Sequence, residues 1–241
     1  MMDPRIIVHN LPKSANAEAY RTIRSNIRFS STDREIKSLL ITSSGPEEGK
    51  SLTCANLAVA FAASETKVLL IDADLRKPNL HRIMNINKKD GLTNILSEHK
   101  DYKAFISRTE VSNLDVLSSG PVPPNPSEML SSKAMKSLME QLKSNYDIVI
   151  VDTPPVGLVT DAQILSTLVD GAILVVASEK AKVDSTRNAR DLLKNVNSNI
   201  LGVILNRVKK KEKVYYYEYS EKPEKKQKVK KENRNGVSVY T

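Results

Sequence analysis

The run Ser44-Gly45-Pro46-Glu47-Glu48-Gly49-Lys50-Ser51 has the residue types and spacing of a loop that wraps phosphate. Its pattern is G-x4-G-K-[ST], with Ser44 in the place of the first glycine. Gly49 lets the backbone approach phosphate oxygens closely, and backbone N–H groups at the start of a following helix would receive their charge. In this reading Lys50 reaches the β- and γ-phosphates and Ser51 ligates Mg²⁺. A second run, Asp72-Ala73-Asp74-Leu75-Arg76, sets two carboxylates at i and i+2. Where a strand bends at its end, such a pair can face one cleft. There it suits metal ligation, directly or through water, or removal of a proton from a hydroxyl. A third run, Ile148-Val149-Ile150-Val151-Asp152-Thr153-Pro154-Pro155, ends an apolar stretch in one carboxylate, as a Walker B element does. The two prolines stop the strand and stiffen the loop.

Taken singly, each run has a plainer reading: a turn of small residues, two solvated acids, an ordinary strand end. Their order and shared context select a nucleotide site, because each follows an aliphatic run directly. ATP and Mg²⁺ are the expected cofactors. The expected metal set is Ser51, Asp72, Asp74 and Asp152. Gly45, Pro46, Glu47, Glu48, Gly49, Lys50, Ser51 and Leu52 form the expected nucleotide-binding stretch.

The elements that must position these residues are legible as short aliphatic runs at 39–42, 68–71, 113–117, 148–151, 172–176 and 201–205. Such runs suit buried parallel strands. Helical patterns lie between most of them, at 50–63, 127–143 and 185–196, and a further helix at 15–29 precedes the first strand. In 127–143, Met129, Leu130, Ala134, Leu138 and Leu142 recur at three- and four-residue spacing. Strands alternating with helices imply an α/β fold: a mostly parallel central sheet with helices on both faces. In such sheets ligands bind beyond the carboxyl ends of the strands, where all three runs fall.

The chain has 241 residues, 40% of them apolar, enough for one sizeable domain with a buried core. Its single cysteine, Cys54, allows no internal disulfide and suits a reducing cytoplasm. No apolar stretch is long enough for a signal peptide or a membrane span, so a membrane role would need a partner. The net charge of +9 is concentrated at the end: residues 209–241 hold 11 Lys/Arg against 5 Asp/Glu. Tyr215, Tyr216, Tyr217, Tyr219 and Tyr240 lie there with few aliphatic residues. The expected organisation is a folded domain over 1–208 and a disordered basic tail over 209–241. His9, His81 and His99 are scattered and suggest no metal site.

On these motifs the chain resembles the bacterial tyrosine kinases of capsule and exopolysaccharide assembly, P-loop relatives of the partitioning and division-site ATPases. The likeness spans about residues 13 to 208, with Lys50 in its Walker A, residues 68–76 as its Walker A′ and Asp152 in its Walker B. Partitioning ATPases usually carry an extra lysine five positions before the P-loop lysine, where this chain has Gly45. Glu18-x-x-Arg21-x-x-Arg24 resembles the family's ring-forming motif on an N-terminal helix. The run Tyr215-Tyr216-Tyr217-Glu218-Tyr219 resembles its autophosphorylated cluster. Asn206 and Arg207 sit where relatives contact the adenine ring.

The resemblance implies in-line transfer of the γ-phosphoryl group to a tyrosine oxygen. Lys50, Asp72, Asp74 and Asp152 are its catalytic set, with Asp72 or Asp74 as base. It also implies a homo-oligomeric ring, a separate membrane activator whose cytoplasmic segment completes the site, and protein substrates in polysaccharide synthesis. The chain would be cytoplasmic, recruited to the inner face of the membrane. A rival reading stays open. Lysines interleaved with tyrosines suit single-stranded nucleic acid, so a partitioning-type ATPase switch with a nucleic-acid-binding tail is the second hypothesis. The kinase reading expects no nucleic acid.

Overall fold

In the computed structural model, residues 1–30 and 35–209 are described. The elements run in chain order as α1 (Ile7–Asn10), α2 (Ala15–Phe29), β1 (Ser38–Ser43), α3 (Lys50–Ala62), β2 (Val68–Asp72), α4 (Leu80–Ile83) and α5 (Leu92–Glu98). A 3₁₀ turn at Tyr102–Phe105 leads into β3 (Ile106–Arg108) and β4 (Leu114–Leu117). Then follow α6 (Pro126–Leu130), α7 (Lys133–Asn145), β5 (Ile148–Asp152), α8 (Asp161–Ser166), β6 (Gly171–Ala177), α9 (Val183–Lys194) and β7 (Ile200–Asn206).

The seven strands form one sheet in the order β3-β4-β2-β5-β1-β6-β7. Every pairing is parallel except that of β3 with β4. Alternate strand residues serve opposite faces. Leu39, Ile41, Val68 and Leu70 join the core built with α1 to α4, while Leu40, Leu69 and Ile71 join the core built with α5 to α9. Burial on both faces explains why these strands read as unbroken aliphatic runs rather than alternating ones. Within α3, residues 53 to 62 are buried, as an apolar helix pressed on a sheet requires.

Two differences from the expected elements have local causes. The helical pattern at 127–143 is two helices, because Ser131 ends α6 and Ser132 caps α7, its Oγ accepting a hydrogen bond from Met135 N at 3.2 Å. The antiparallel edge strand β3 has two half-exposed residues, Ile106 and Ser107, an exposed Arg108, and no apolar run to announce it. The residues from Met1 to Val208 form one compact unit. The tail tyrosines Tyr215, Tyr216, Tyr217, Tyr219 and Tyr240 lie outside the described residues.

Candidate active site

Register brings the three motifs together. β5 lies between β1 and β2, and Asp72 pairs directly with Asp152. The loop after β1 therefore opens beside both carboxylates. Gly49 caps α3 with φ of 90°, a conformation natural to glycine, and a Cβ there would run into Asn206 Nδ2.

Glu48 shapes the loop from within. Its carboxylate is buried, with Oε1 accepting from Ser44 Oγ at 2.5 Å and Gly45 N at 2.7 Å. Its Oε2 accepts from Ala177 N at 3.2 Å, tying the loop to the end of β6. The serine that departs from the glycine pattern is thus a donor to this glutamate. Exposed Glu47 pairs with Lys180 at 2.8 Å, and Leu52 packs into the first core. Asn206 Nδ2 donates to Glu48 O at 2.9 Å, and Asn206 Oδ1 accepts from Arg207 N at 2.9 Å. In this structure Asn206 braces the phosphate loop through that bond to Glu48 O.

Lys50 Nζ lies 2.9 Å from Asp74 Oδ2 and 3.4 Å from Asp152 Oδ1, and donates to Ser51 Oγ at 3.2 Å. Burial alone would lower the pKa of this amine, but the Asp152 and Asp74 carboxylates overcome that and hold it above its ordinary value. Asp72 Oδ2 accepts from Asn79 N at 3.1 Å and Leu80 N at 3.0 Å. Asp74 Oδ1 accepts from Lys77 N at 2.9 Å. Burial, reinforced by the charge of Asp152, pushes Asp72 up to about 8. Burial also raises Asp152, against the pull of Lys50. Cys54 is buried on α3, its thiol donating to Asp152 Oδ1 at 3.5 Å; burial and then the Asp152 charge push its pKa well above the ordinary value.

Asp72 Oδ1 and Asp152 Oδ2 are buried without a hydrogen-bond partner. Orphaned carboxylate oxygens beside a serine hydroxyl are a hard oxygen set that fits Mg²⁺. Among the described residues no three His, Cys, Asp or Glu side chains form a metal cluster by themselves.

Glu18, Arg21 and Arg24 stand apart, on α2. Arg21 pairs with Glu18 at 2.6 Å and also donates to Pro12 O. Arg24 Nη1 donates to Ala60 O at 2.6 Å, near the far end of α3 from the phosphate loop. Sequence spacing signals neither the loop-shaping role of Glu48, which it places only in the nucleotide-binding stretch, nor the fully buried Asp161, which binds Arg76. Glu48 sits at an unspecified position of the motif. Asp161 lies 85 residues from its partner, so no local spacing signals it.

Comparison with known proteins fixes the lineage. The family model described as "ParA: NUBPL iron-transfer P-loop NTPase" matches residues 35–232. The tyrosine-protein kinase YwqD of Bacillus subtilis (strain 168) is 48% identical over 205 residues, which span 85% of this chain and 86% of that protein. The chain belongs to the bacterial tyrosine-protein kinases. The putative tyrosine-protein kinase CapB of Staphylococcus aureus is 42% identical to it, over 90% of this kinase and 95% of CapB. Its fold is also similar to that of the chimerical protein CapA2B2, with TM-score 0.83 and 44% identity over 87% of this chain and 92% of that one. The kinase is thus a nucleotide-binding P-loop enzyme, and the partitioning-switch reading is set aside.

Proposed function

We propose that this kinase transfers the γ-phosphoryl group of ATP to tyrosine hydroxyls, foremost those of its own C-terminal cluster, at the site described above. Through that transfer it regulates synthesis or export of capsular or extracellular polysaccharide, as its family membership suggests. The observation that carries the chemistry is one cation, Lys50, held between Asp74 and Asp152, beside two buried carboxylate oxygens without partners. A lysine so placed can turn to the phosphates and neutralise the transferring group. Ser51, Asp74 and Asp152 would hold Mg²⁺, which when bound supplies charge and orientation to the phosphates. Asp72 is the candidate base. It would take the proton of the attacking tyrosine, a role served by a carboxylate whose pKa lies near neutrality.

The wider proposal includes a homo-oligomeric ring formed through Glu18, Arg21 and Arg24. It also includes a separate membrane activator that recruits this kinase to the inner face of the membrane. Among the described residues no helix is long and apolar enough to cross a membrane. The test is incubation of wild-type protein and Lys50→Met with [γ-³²P]ATP and Mg²⁺, followed by phosphoamino-acid analysis. Wild-type protein should gain phosphotyrosine, and folded Lys50→Met should gain none. Undiminished labelling of the variant would overturn the mechanism.

A further inference from the structure

Arg76 and Asp161 lie outside the Lys50 cluster, yet they join the two loops that carry its carboxylates. Arg76 Nε and Nη2 donate to Asp161 Oδ2 and Oδ1, each at 2.9 Å. Ser127 Oγ donates to Asp161 Oδ1 at 2.6 Å and accepts from Arg76 Nη2 at 2.9 Å. The Asp161 side chain is wholly buried, and that of Arg76 is 37% exposed. A bidentate guanidinium–carboxylate pair fixes orientation as well as distance.

Placement gives this junction its meaning. Arg76 follows Asp74 by two residues, in a loop closed by the Lys77 N–H on Asp74. Asp161 opens α8 where the loop that begins after Asp152 ends. Near the sheet these loops are tied by one backbone bond, Ala73 N to Asp152 O at 2.9 Å. Further out the tie is the Arg76–Asp161 fork. In this structure Lys50 is a third tie, since it holds Asp74 and Asp152 at once.

We propose that the Arg76–Asp161–Ser127 junction is a positioning device for phosphoryl transfer: it keeps the Asp74 loop in register with the loop after Asp152 when Lys50 leaves those carboxylates for the nucleotide. The proposal rests on the nucleotide reading of the site given above. Once Lys50 turns away, and until a metal is seated between them, Asp74 and Asp152 lack a shared cation and repel each other. The fork then sets their separation. Arginine is required, because the compact ammonium of lysine lacks the planar fork. Nucleotide affinity depends on the phosphate loop, which the junction does not touch, so damage falls on transfer and on use of the metal.

The experiment compares full-length wild-type protein with Asp161→Asn, Arg76→Lys and the double variant Arg76→Ala/Asp161→Ala. It measures the melting temperature, the affinity for a fluorescent ATP analogue, and the phosphotyrosine rate across a Mg²⁺ titration. Analogue affinity should stay within ~3-fold of wild type. Transfer should fall by ~10–100-fold, as expected when reacting groups are misplaced by a fraction of an ångström. The Mg²⁺ concentration for half-maximal rate should rise. Arg76→Lys keeps the charge and is the deciding variant if Asp161→Asn, which leaves Arg76 unpaired, does not fold. Folded variants with wild-type rate and Mg²⁺ dependence would overturn the proposal. So would losses of affinity and melting temperature in step with the rate, which mark a purely structural contact. Absence of phosphotyrosine in wild-type protein would instead remove the kinase reading, and this proposal with it.

Discussion

Asp72 and Asp152 face each other on neighbouring strands, wholly buried, and two such carboxylates resist ionising together. Asp72, raised to about 8, ionises in the unfolded chain near its ordinary 3.8. Between those values the unfolded state releases a proton that the folded state keeps. Stability attributable to Asp72 is therefore full below the lower value and is lost as pH rises toward the upper one. In Asp72→Asn the ligand-free protein should melt higher than wild type, with a gain that grows from pH 5 to pH 8, while phosphotyrosine formation disappears. Calorimetry at the two pH values decides it, and a variant no more stable than wild type at pH 8 contradicts the reading. A second residue, Gly49, is fixed by φ of 90° and by the closeness of Asn206. Gly49→Ala should cost about 1–3 kcal/mol of stability, measurable by urea titration, and should weaken ATP-analogue binding. That Lys50, Ser51, Asp72, Asp74 and Asp152 come together was legible because their spacing follows strand ends. The burial of Glu48 was not, because its donors come from Ser44, Gly45 and the distant Ala177.

At the scale of elements, the break between α6 and α7 is set by a single cap. Ser132→Ala should cost about 1 kcal/mol. In a domain of this size that lowers the melting temperature by about 2–4 °C. Ser131→Ala, whose hydroxyl makes an exposed bond to Glu128 O, is the comparison and should change it less. The cap explains why the break was hard to read: Met129, Leu130, Ala134, Leu138 and Leu142 keep helical spacing across it. The central strands were legible because burial on both faces leaves mainly aliphatic residues there. The short helices α4, α5 and α8 were not, since four to seven residues give too few turns for a periodic signal.

For the whole molecule, the decisive question is which copy phosphorylates which tail. Tyr215 lies nine residues beyond Asn206, so a fully extended link spans at most ~30 Å. On the proposed ring, a neighbouring copy is the expected target. Mixing Lys50→Met protein bearing an intact tail with active protein whose five tail tyrosines are Phe should label the Lys50→Met chain. An unlabelled chain, alongside wild-type self-labelling at a concentration-independent rate, means transfer within one chain. If the proposed ring forms through this face, Arg21→Ala should shift it toward monomers in light scattering. It leaves Arg24 bound to Ala60 O, so the packing of α2 on α3 is not disturbed at that point. An unchanged mass across concentrations would reduce Glu18 and Arg21 to the intrahelical pair seen within one chain.

The sealed position of Cys54 gives the protein a built-in clock for opening. As the chain's only thiol, buried against Asp152 and held protonated, it is shielded from an alkylating reagent until α3 lifts from the sheet. The rate of its alkylation in native protein therefore reads how often the nucleotide site comes apart, without any introduced label. Bound ATP analogue, by stabilising the closed form, should slow that clock in proportion to its occupancy.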